Sequence, residues 1–461
     1  MKRRTFIHAG MLSAIAGTMF PLTVQADKPK RKARGKAKNI IFMVSDGMSN
    51  GTLSMADLFL QRKEQRSSNW IQLYRDNKVS RALMDTSSAD SLVTDSAAAS
   101  SAWGGGRKVN NGSLNTNADG SYNKPILQKF KEAGKAVGCV TTVPITHATP
   151  AGFCVNIKNR NDQSAIASLY LPLEFDVMMG GGFEYFSESK RRDGKDLISE
   201  FRNKGYQVAL TNSEMKNTSP GKPLLGVFYE DGLPYSLDHL SDPNLSEIVP
   251  TLAAMTQKAI ELMSANPNGF VLQIEGGKVD WAAHANDAAG LIYDQIAFDD
   301  AIKVAIDFAE MDKDTLVIIT TDHGNSNPGL IKSKHVDQKF ETLLKFKHTN
   351  DWILYGINKD FSASQVIERI YEAQQITITE TEAKSLLEDY ITQNNNGIYN
   401  AYKLPFRKFA QIQQNYTSIG WSGMDHSADF VELAMFGPGS AALNPFVRNT
   451  ELHSFMLEAT K

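Results

Sequence analysis

The sequence predicts an α/β fold: a large, mostly parallel central sheet flanked by helices on both faces, with one antiparallel strand and a long insertion. Three observations carry that prediction. Four apolar runs, Asn39–Val44, Val137–Val143, Phe270–Ile274 and Thr315–Thr320, lack the polar alternation of a strand with one wet face. Helical segments such as Leu252–Met263 and Asp294–Phe308 interleave with such runs, as parallel crossovers demand. The runs also deliver residues with chemistry: Asp46, the turn Pro144 to Pro150 with His147 and Thr149, Glu275, and Asp322 with His323. Ligands of open parallel sheets bind beyond the carboxyl ends of the strands, so these groups are expected along one edge.

Ahead of the first strand, Arg3-Arg4-Thr5-Phe6-Ile7 opens a twin-arginine type of leader, followed by a modestly apolar stretch from Ala9 to Val24. Val24-Gln25-Ala26 resembles a small-residue cleavage site, so residues 1–26 read as a signal peptide and the protein as periplasmic or secreted. Gly10, Ser13, Gly17, Thr18 and Pro21 weaken the stretch as a membrane span, which disfavours a retained anchor and leaves no membrane role after cleavage. Residues 27–38 follow, with seven basic residues from Lys28 to Lys38. They read as a solvated basic linker in preference to a nucleic-acid or membrane contact.

The first 38 residues hold ten of the 49 basic residues and one of the 51 acidic ones. The remaining domain, 39–461, is therefore acidic overall, which argues against nucleic-acid binding as its main role. An anionic substrate must then be drawn in by local cations, not by the field of the whole protein. Hydrophobic residues at 42% and charged residues at 22% argue against extensive disorder. Cys139 and Cys154 are the only 2 cysteines, too few for a thiolate metal cluster. One optional disulfide and two buried thiols both remain open.

Towards the C-terminus, His426 precedes the strand-like Asp429–Phe436 instead of following it. To reach the same edge as the other groups, that last strand must run antiparallel or a loop must fold back, and the antiparallel strand is the preferred reading. The stretch from about 330 to 420 is polar and helix-rich, with Ser362–Ala373, Thr381–Gln393 and the turn Asn394-Asn395-Asn396-Gly397. It offers no obvious chemistry and reads as an insertion that shapes the cleft mouth or a subunit contact.

The candidate site is built from pieces that are weak one by one. Ser96 starts the helix-forming stretch Ser96–Trp103, where a serine is by itself an ordinary N-cap. A helix start also offers backbone donors and a positive dipole end to a phosphate. Asp280-x-x-x-His284 sets a carboxylate and an imidazole one turn apart on one helix face, a spacing suited to zinc and common without it. Asp322-His323 by default is a cap and a surface histidine, and Asp46-Gly47 a turn. Their joint occurrence at strand ends is what points to metal-assisted phosphoryl chemistry. A serine hydroxyl is a poor nucleophile and a phosphate monoester repels attackers, and metal ions remedy both.

The order of these pieces resembles the alkaline phosphatase family from about Asn39 to the C-terminus. The resemblance runs through Val44-Ser45-Asp46-Gly47-Met48, Thr94-Asp95-Ser96-Ala97-Ala98, His147-Ala148-Thr149-Pro150-Ala151, Glu275-Gly276-Gly277-Lys278-Val279-Asp280, Thr321-Asp322-His323 and Asp425-His426. It implies that Ser96 is the nucleophile and becomes a phosphoserine. It further implies two zinc ions and one magnesium: Asp280, His284 and His426 at one zinc, and Asp46, Ser96, Asp322 and His323 around the other. Asp46 would bridge to the magnesium site, completed by Thr149 and Glu275. Arg160, eleven residues beyond Thr149, corresponds to the family's phosphate-clamping arginine. Small phosphorylated substrates, a basic pH optimum and a homodimer are the expectations that come with it.

Two positions depart from the best-known bacterial pattern and look like other branches of the family, including cold-active marine bacterial enzymes. His147 stands where that pattern has aspartate and Trp281 where it has lysine, both beside the third metal. Asn325 replaces a histidine near the second zinc. His239, His335, His348 and His453 show no partner pattern and read as surface groups. Rival readings are a phosphodiesterase of the same superfamily and a non-catalytic secreted protein that binds metal or phosphate. A sulfatase would need x-Pro-x-Arg after its nucleophile, where this chain has Ala97-Ala98-Ala99-Ser100.

Overall fold

A computed structural model of the chain describes residues 35–391 and 404–461. The leader, residues 27–34 of the basic segment and the Asn394–Gly397 turn lie outside the described residues. In chain order the strands are β1 (Asn39–Val44), β2 (Ser80–Met84), β3 (Ala136–Pro144), β4 (Val177–Gly181), β5 (Gln207–Ala209), β6 (Leu224–Val227), β7 (Phe270–Glu275), β8 (Thr315–Thr320), β9 (Gly324–Asn325), β10 (Gly329–Leu330), β11 (Ile419–Gly420), β12 (His426–Ser427), β13 (Val431–Phe436) and β14 (Phe446–Val447). Ten of them form one sheet in the order β14-β2-β13-β8-β1-β7-β3-β4-β6-β5. Every neighbouring pair is parallel except those of β13, which runs antiparallel to both β2 and β8. The single reversed strand is the one expected from the position of His426.

Strand β1 shows why the central runs carry no polar alternation. Successive side chains leave a strand on opposite faces. Ile41 and Met43 enter a core shared with the helices Asn50–Glu64, Leu252–Met263 and Ala288–Asp312. Ile40, Phe42 and Val44 enter a second core with Ser96–Gly104, Ile126–Glu132, Ala148–Cys154 and Glu451–Ala459. Both faces are covered, so all six residues are buried. Ahead of β1, Ala37 already donates its N–H to the Ala459 carbonyl at 2.7 Å, so the chain joins the body just before the first strand.

Phe42 links this packing to the site. Its ring lies 5.1 Å from Trp103 and 5.1 Å from Phe153, centroid to centroid. The strand that delivers Asp46 is thereby wedged against the two helices that carry Ser96 and Thr149. Truncating such a residue to alanine costs about 3–5 kcal/mol. Beyond β8, the chain leaves and re-enters through the antiparallel pair β10–β11, which closes the segment between them. The helices in that segment, among them Ala363–Gln374 and Phe406–Thr417, bury Val366, Ile370, Phe406 and Phe409 in the first core.

Candidate metal and catalytic centre

Ser96 is freed from capping by its neighbour. Asp95, in extended conformation, accepts the Ala98 N–H at 2.9 Å and is the N-cap of the helix Ser96–Gly104. The hydroxyl of Ser96 instead lies 3.4 Å from His323 Nε2, with the residue 1% exposed. Small side chains from Ser96 to Ala102 let this helix approach Ala148–Cys154 closely: Ser100 Oγ donates to the Ala148 carbonyl at 3.0 Å. A Cβ on Gly152 would meet Ser100 Oγ at 2.1 Å, so only glycine fits that crossing.

Three candidate metal-binding groups lie at this end of the sheet, one of them reaching Ser96 through His323. Asp280 and His284, one turn apart on the helix Lys278–His284, bring Oδ2 and Nε2 to 3.4 Å. His426 on β12 closes the group, its Nε2 3.1 Å from His284 Nε2 and 3.6 Å from Asp280 Oδ1. The other ring nitrogens are anchored: His284 Nδ1 donates to the Met424 carbonyl at 2.6 Å and His426 Nδ1 to the Thr94 carbonyl at 2.9 Å. With both Nδ1 atoms anchored, the two Nε2 atoms point into one space, the arrangement that a metal ion requires once it displaces their protons.

His323 Nε2 centres the second group, 3.1 Å from Asp322 Oδ2 and 3.6 Å from Asp46 Oδ1. Asp46, His147 and Glu275 form the third, each offering a ligand atom within 4.8 Å of the others. Thr149 Oγ1 donates to Asp46 Oδ2 at 3.3 Å, and Thr141 Oγ1 to Glu275 Oε2 at 2.5 Å. Asp46 thus belongs to two groups. Its position demands Gly47 with φ +65°, since a Cβ there would stand 2.4 Å from Asp280 Oδ1.

The electrostatics call for cations. Asp46, Glu275, Asp280 and Asp322 are all buried. Burial and the neighbouring Asp322, Asp280 and Glu275 push the Asp46 carboxyl well above its ordinary range. Burial raises Glu275 to about 7. Burial also opposes ionisation of Asp280 and Asp322, but the imidazoles of His284 and His323 hold both below the usual carboxylate range. Asp46 Oδ1, Glu275 Oε1 and His147 Nδ1 are buried with no hydrogen-bond partner. Unpaired buried oxygens of this kind cost several kcal/mol unless a cation completes them.

Arg160 is held from two sides. Its Nη1 donates to Asp95 Oδ2 at 2.9 Å and its Nη2 to His147 Nε2 at 3.1 Å. His147 accepts because burial and the adjacent guanidinium lower its pKa to about 3 and keep it neutral. Trp281 meets the His147 ring edge-on at 6.2 Å. Asn325 Nδ2 donates to Asp280 Oδ1 at 2.7 Å, and Asp280 lies within reach both of His284 and His426 and of Asp46 and His323, so Asn325 stands between the first and second groups.

All twelve residues singled out in the sequence therefore line one rim: Asp46, Ser96, His147, Thr149, Arg160, Glu275, Asp280, Trp281, His284, Asp322, His323 and His426. Sequence reasoning missed Thr141, whose only signal is its register opposite Glu275. It also misread three histidines. His239 is buried and donates to the Val249 carbonyl, His453 is buried and donates to the Trp103 carbonyl, and His348 stacks on Trp352 at 4.1 Å. Their partners, which for His348 include Asp238 Oδ1 at 3.1 Å and for His453 the Lys129 ammonium at 2.9 Å, are brought by tertiary packing and are invisible to spacing. Cys139 and Cys154 are free buried thiols with Sγ atoms 3.5 Å apart. Among the described residues no helix is long and apolar enough to cross a membrane.

A family model described as Alkaline phosphatase matches residues 37–461. Alkaline phosphatase 3 of Bacillus subtilis (strain 168) is 29% identical over 455 residues, covering 97% of this chain and 94% of that protein. The alkaline phosphatase of Escherichia coli (strain K12) is 30% identical over 344 residues, 66% of this chain and 72% of its own. The crystal structure of Thermus thermophilus alkaline phosphatase superposes with a TM-score of 0.85 at 31% identity, over 96% of this chain and 95% of that one.

Proposed function

The chain belongs to the alkaline phosphatase family, and on that premise we propose that it hydrolyses phosphate monoesters through a phosphoserine on Ser96, releasing inorganic phosphate. The observation that carries this reading is the Ser96 hydroxyl, 3.4 Å from His323 Nε2 between convergent ligand groups, with the Arg160 fork held nearby. Asp280, His284 and His426 would hold one zinc ion, and Asp46, Asp322, His323 and Ser96 the second. Asp46, Thr149 and Glu275 would hold magnesium. The donor chemistry supports this division, since imidazole suits zinc and the oxygens of Asp46, Thr149 and Glu275 suit magnesium, although His147 brings one imidazole to the edge of that third set. Bound there, the ions would lower the pKa of the serine hydroxyl and of a water molecule, and would draw off charge developing on the phosphoryl and leaving oxygens.

The chain's own residues supply the rest. Ser96 Oγ forms the new bond to phosphorus as the alcohol departs with its bonding pair and takes up a proton. A water oxygen then attacks the phosphoserine, and Ser96 Oγ leaves and regains its proton. Arg160 grips two non-bridging oxygens with its planar fork, and Asp95 sets the orientation of that fork. The N-terminal turn of the helix Ser96–Gly104 presents its positive dipole end to the bound dianion. Because these contacts address the phosphoryl group alone, selectivity for the leaving alcohol is broad. The twin-arginine type of leader supports export to the periplasm or the medium.

The test is a rapid acid quench of the metal-replete enzyme with a chromogenic monoester, followed by peptide mapping. The reading predicts monoester turnover well above diester turnover and a phosphoryl group on the Ser96 peptide. Diester turnover in excess, or phosphate on another residue, would refute it.

A further inference from the structure

Lys278 is a buried lysine that the proposed mechanism does not use. Its ammonium sits between two rings, 3.6 Å from the centroid of Tyr235 and 4.4 Å from that of Trp281. Lys278 and Trp281 share a face of the helix Lys278–His284 at i and i+3, while Tyr235 comes from the loop beyond β6. The indole is fitted closely on another side: a Cβ on Gly232 would stand 2.8 Å from its Cζ3. Trp281 in turn meets the His147 ring edge-on, and His147 Nε2 accepts from Arg160 Nη2. His147 Nδ1 has no partner, so the described contacts that orient this ring are Trp281 on one side and Arg160 on the other.

We infer that the Tyr235–Lys278–Trp281 stack is a buttress that sets His147 and, through it, the place of Arg160, which makes Lys278 a positioning residue for phosphate binding. The inference rests on the reading of Arg160 as the phosphate clamp. An aliphatic side chain would fill the same space as the lysine stem, but only a cation is attracted to both ring faces and so resists tilting of the indole. A tilted indole leaves His147 free to turn, and a turned imidazole withdraws the acceptor from Arg160 Nη2.

A double-mutant cycle on the metal-replete enzyme tests this, with inorganic phosphate as the probe. Binding is read by calorimetry and by competitive inhibition of monoester turnover. Lys278→Met is expected to weaken phosphate binding about three- to tenfold and to raise KM in step without lowering kcat. Lys278→Arg restores binding, and in a Trp281→Ala background Lys278→Met has no further effect. An equal loss in both backgrounds would mean that the lysine acts through its field alone, and no loss in either would reduce the stack to packing. Should Lys278→Met fail to fold, Gly232→Ala displaces the indole with the lysine intact and must weaken phosphate binding likewise. Wild-type protein that neither binds phosphate nor turns over a monoester would sink the functional reading itself, whereas normal wild-type behaviour with a flat cycle sinks only the buttress.

Discussion

Two groups of buried carboxylates lie in this chain, and their oxygens are satisfied in opposite ways. Asp287 accepts the N–H groups of Ala289, Gly290 and Asn350, and Asp299 those of Asn69 and Trp70 together with Asn69 Nδ2. These acids tie the long helix Ala288–Asp312 to its neighbours, and backbone donors complete them. At the rim, Asp46 and Glu275 each keep a buried oxygen with no donor; a single threonine hydroxyl, Thr149 and Thr141 respectively, reaches the other oxygen, and the remaining neighbours are acids and imidazoles. Burial raises carboxyl pKa values in both groups, so burial does not distinguish them. The donor count does. A buried acid surrounded by amide N–H groups is a structural tie, and one with an unpaired oxygen among other ligand-type atoms is suited to a cation.

The sharpest way to break that comparison is to remove the group that the rim is built around. Ser96→Ala should lower kcat by about 10⁴-fold or more, by analogy with loss of other activated nucleophiles, while metal content and thermal midpoint stay at wild-type values. An unchanged turnover would detach the rim from catalysis. At the tie, Asp299→Ala should do the reverse. Stranding the amides of Asn69 and Trp70 costs about 2–4 kcal/mol in urea unfolding, with activity per folded molecule unchanged.

The pH dependence sharpens the same contrast. Burial raises the Asp299 carboxyl to about 6, so the native state keeps a proton that the unfolded chain has already released. Its contribution to stability is whole below about pH 4, falls as the pH rises through 6, and is level above that, by up to about 3 kcal/mol. Replacing it with asparagine should flatten the stability–pH slope between pH 4 and 6 relative to wild type. The smallest effect runs against intuition. In chelator-stripped protein, Asp46→Asn should stabilise the fold by about 1 kcal/mol, because it relieves repulsion from Asp280, Asp322 and Glu275. A loss of stability on thermal unfolding would show that Asp46 is a tie after all.

The legible parts of this molecule are those with local signatures. β1 and β8 have the predicted bounds because a six-residue run buried on both faces has no other reading between turn signals. The reversal of β13 followed from one residue, His426, lying before its strand. β4, β5 and β6 escaped notice because runs of three to five residues such as Val177–Gly181, with its Met and Gly, carry no periodicity to tell strand from loop. Which residues would meet at the rim was legible from motif order. The carbonyls of Thr94 and Met424 that orient the imidazoles, and the ring faces around Lys278, are products of tertiary packing. No spacing along the chain announces them.

Anomalous diffraction at the zinc absorption edge, from crystals of the metal-replete protein, tests the central claim most directly. One peak is expected within ligand distance of Asp280, His284 and His426, and a second beside Asp46, Asp322, His323 and the Ser96 hydroxyl. Carboxylates that instead share protons with one another, with zinc absent or bound elsewhere on the surface, would contradict it.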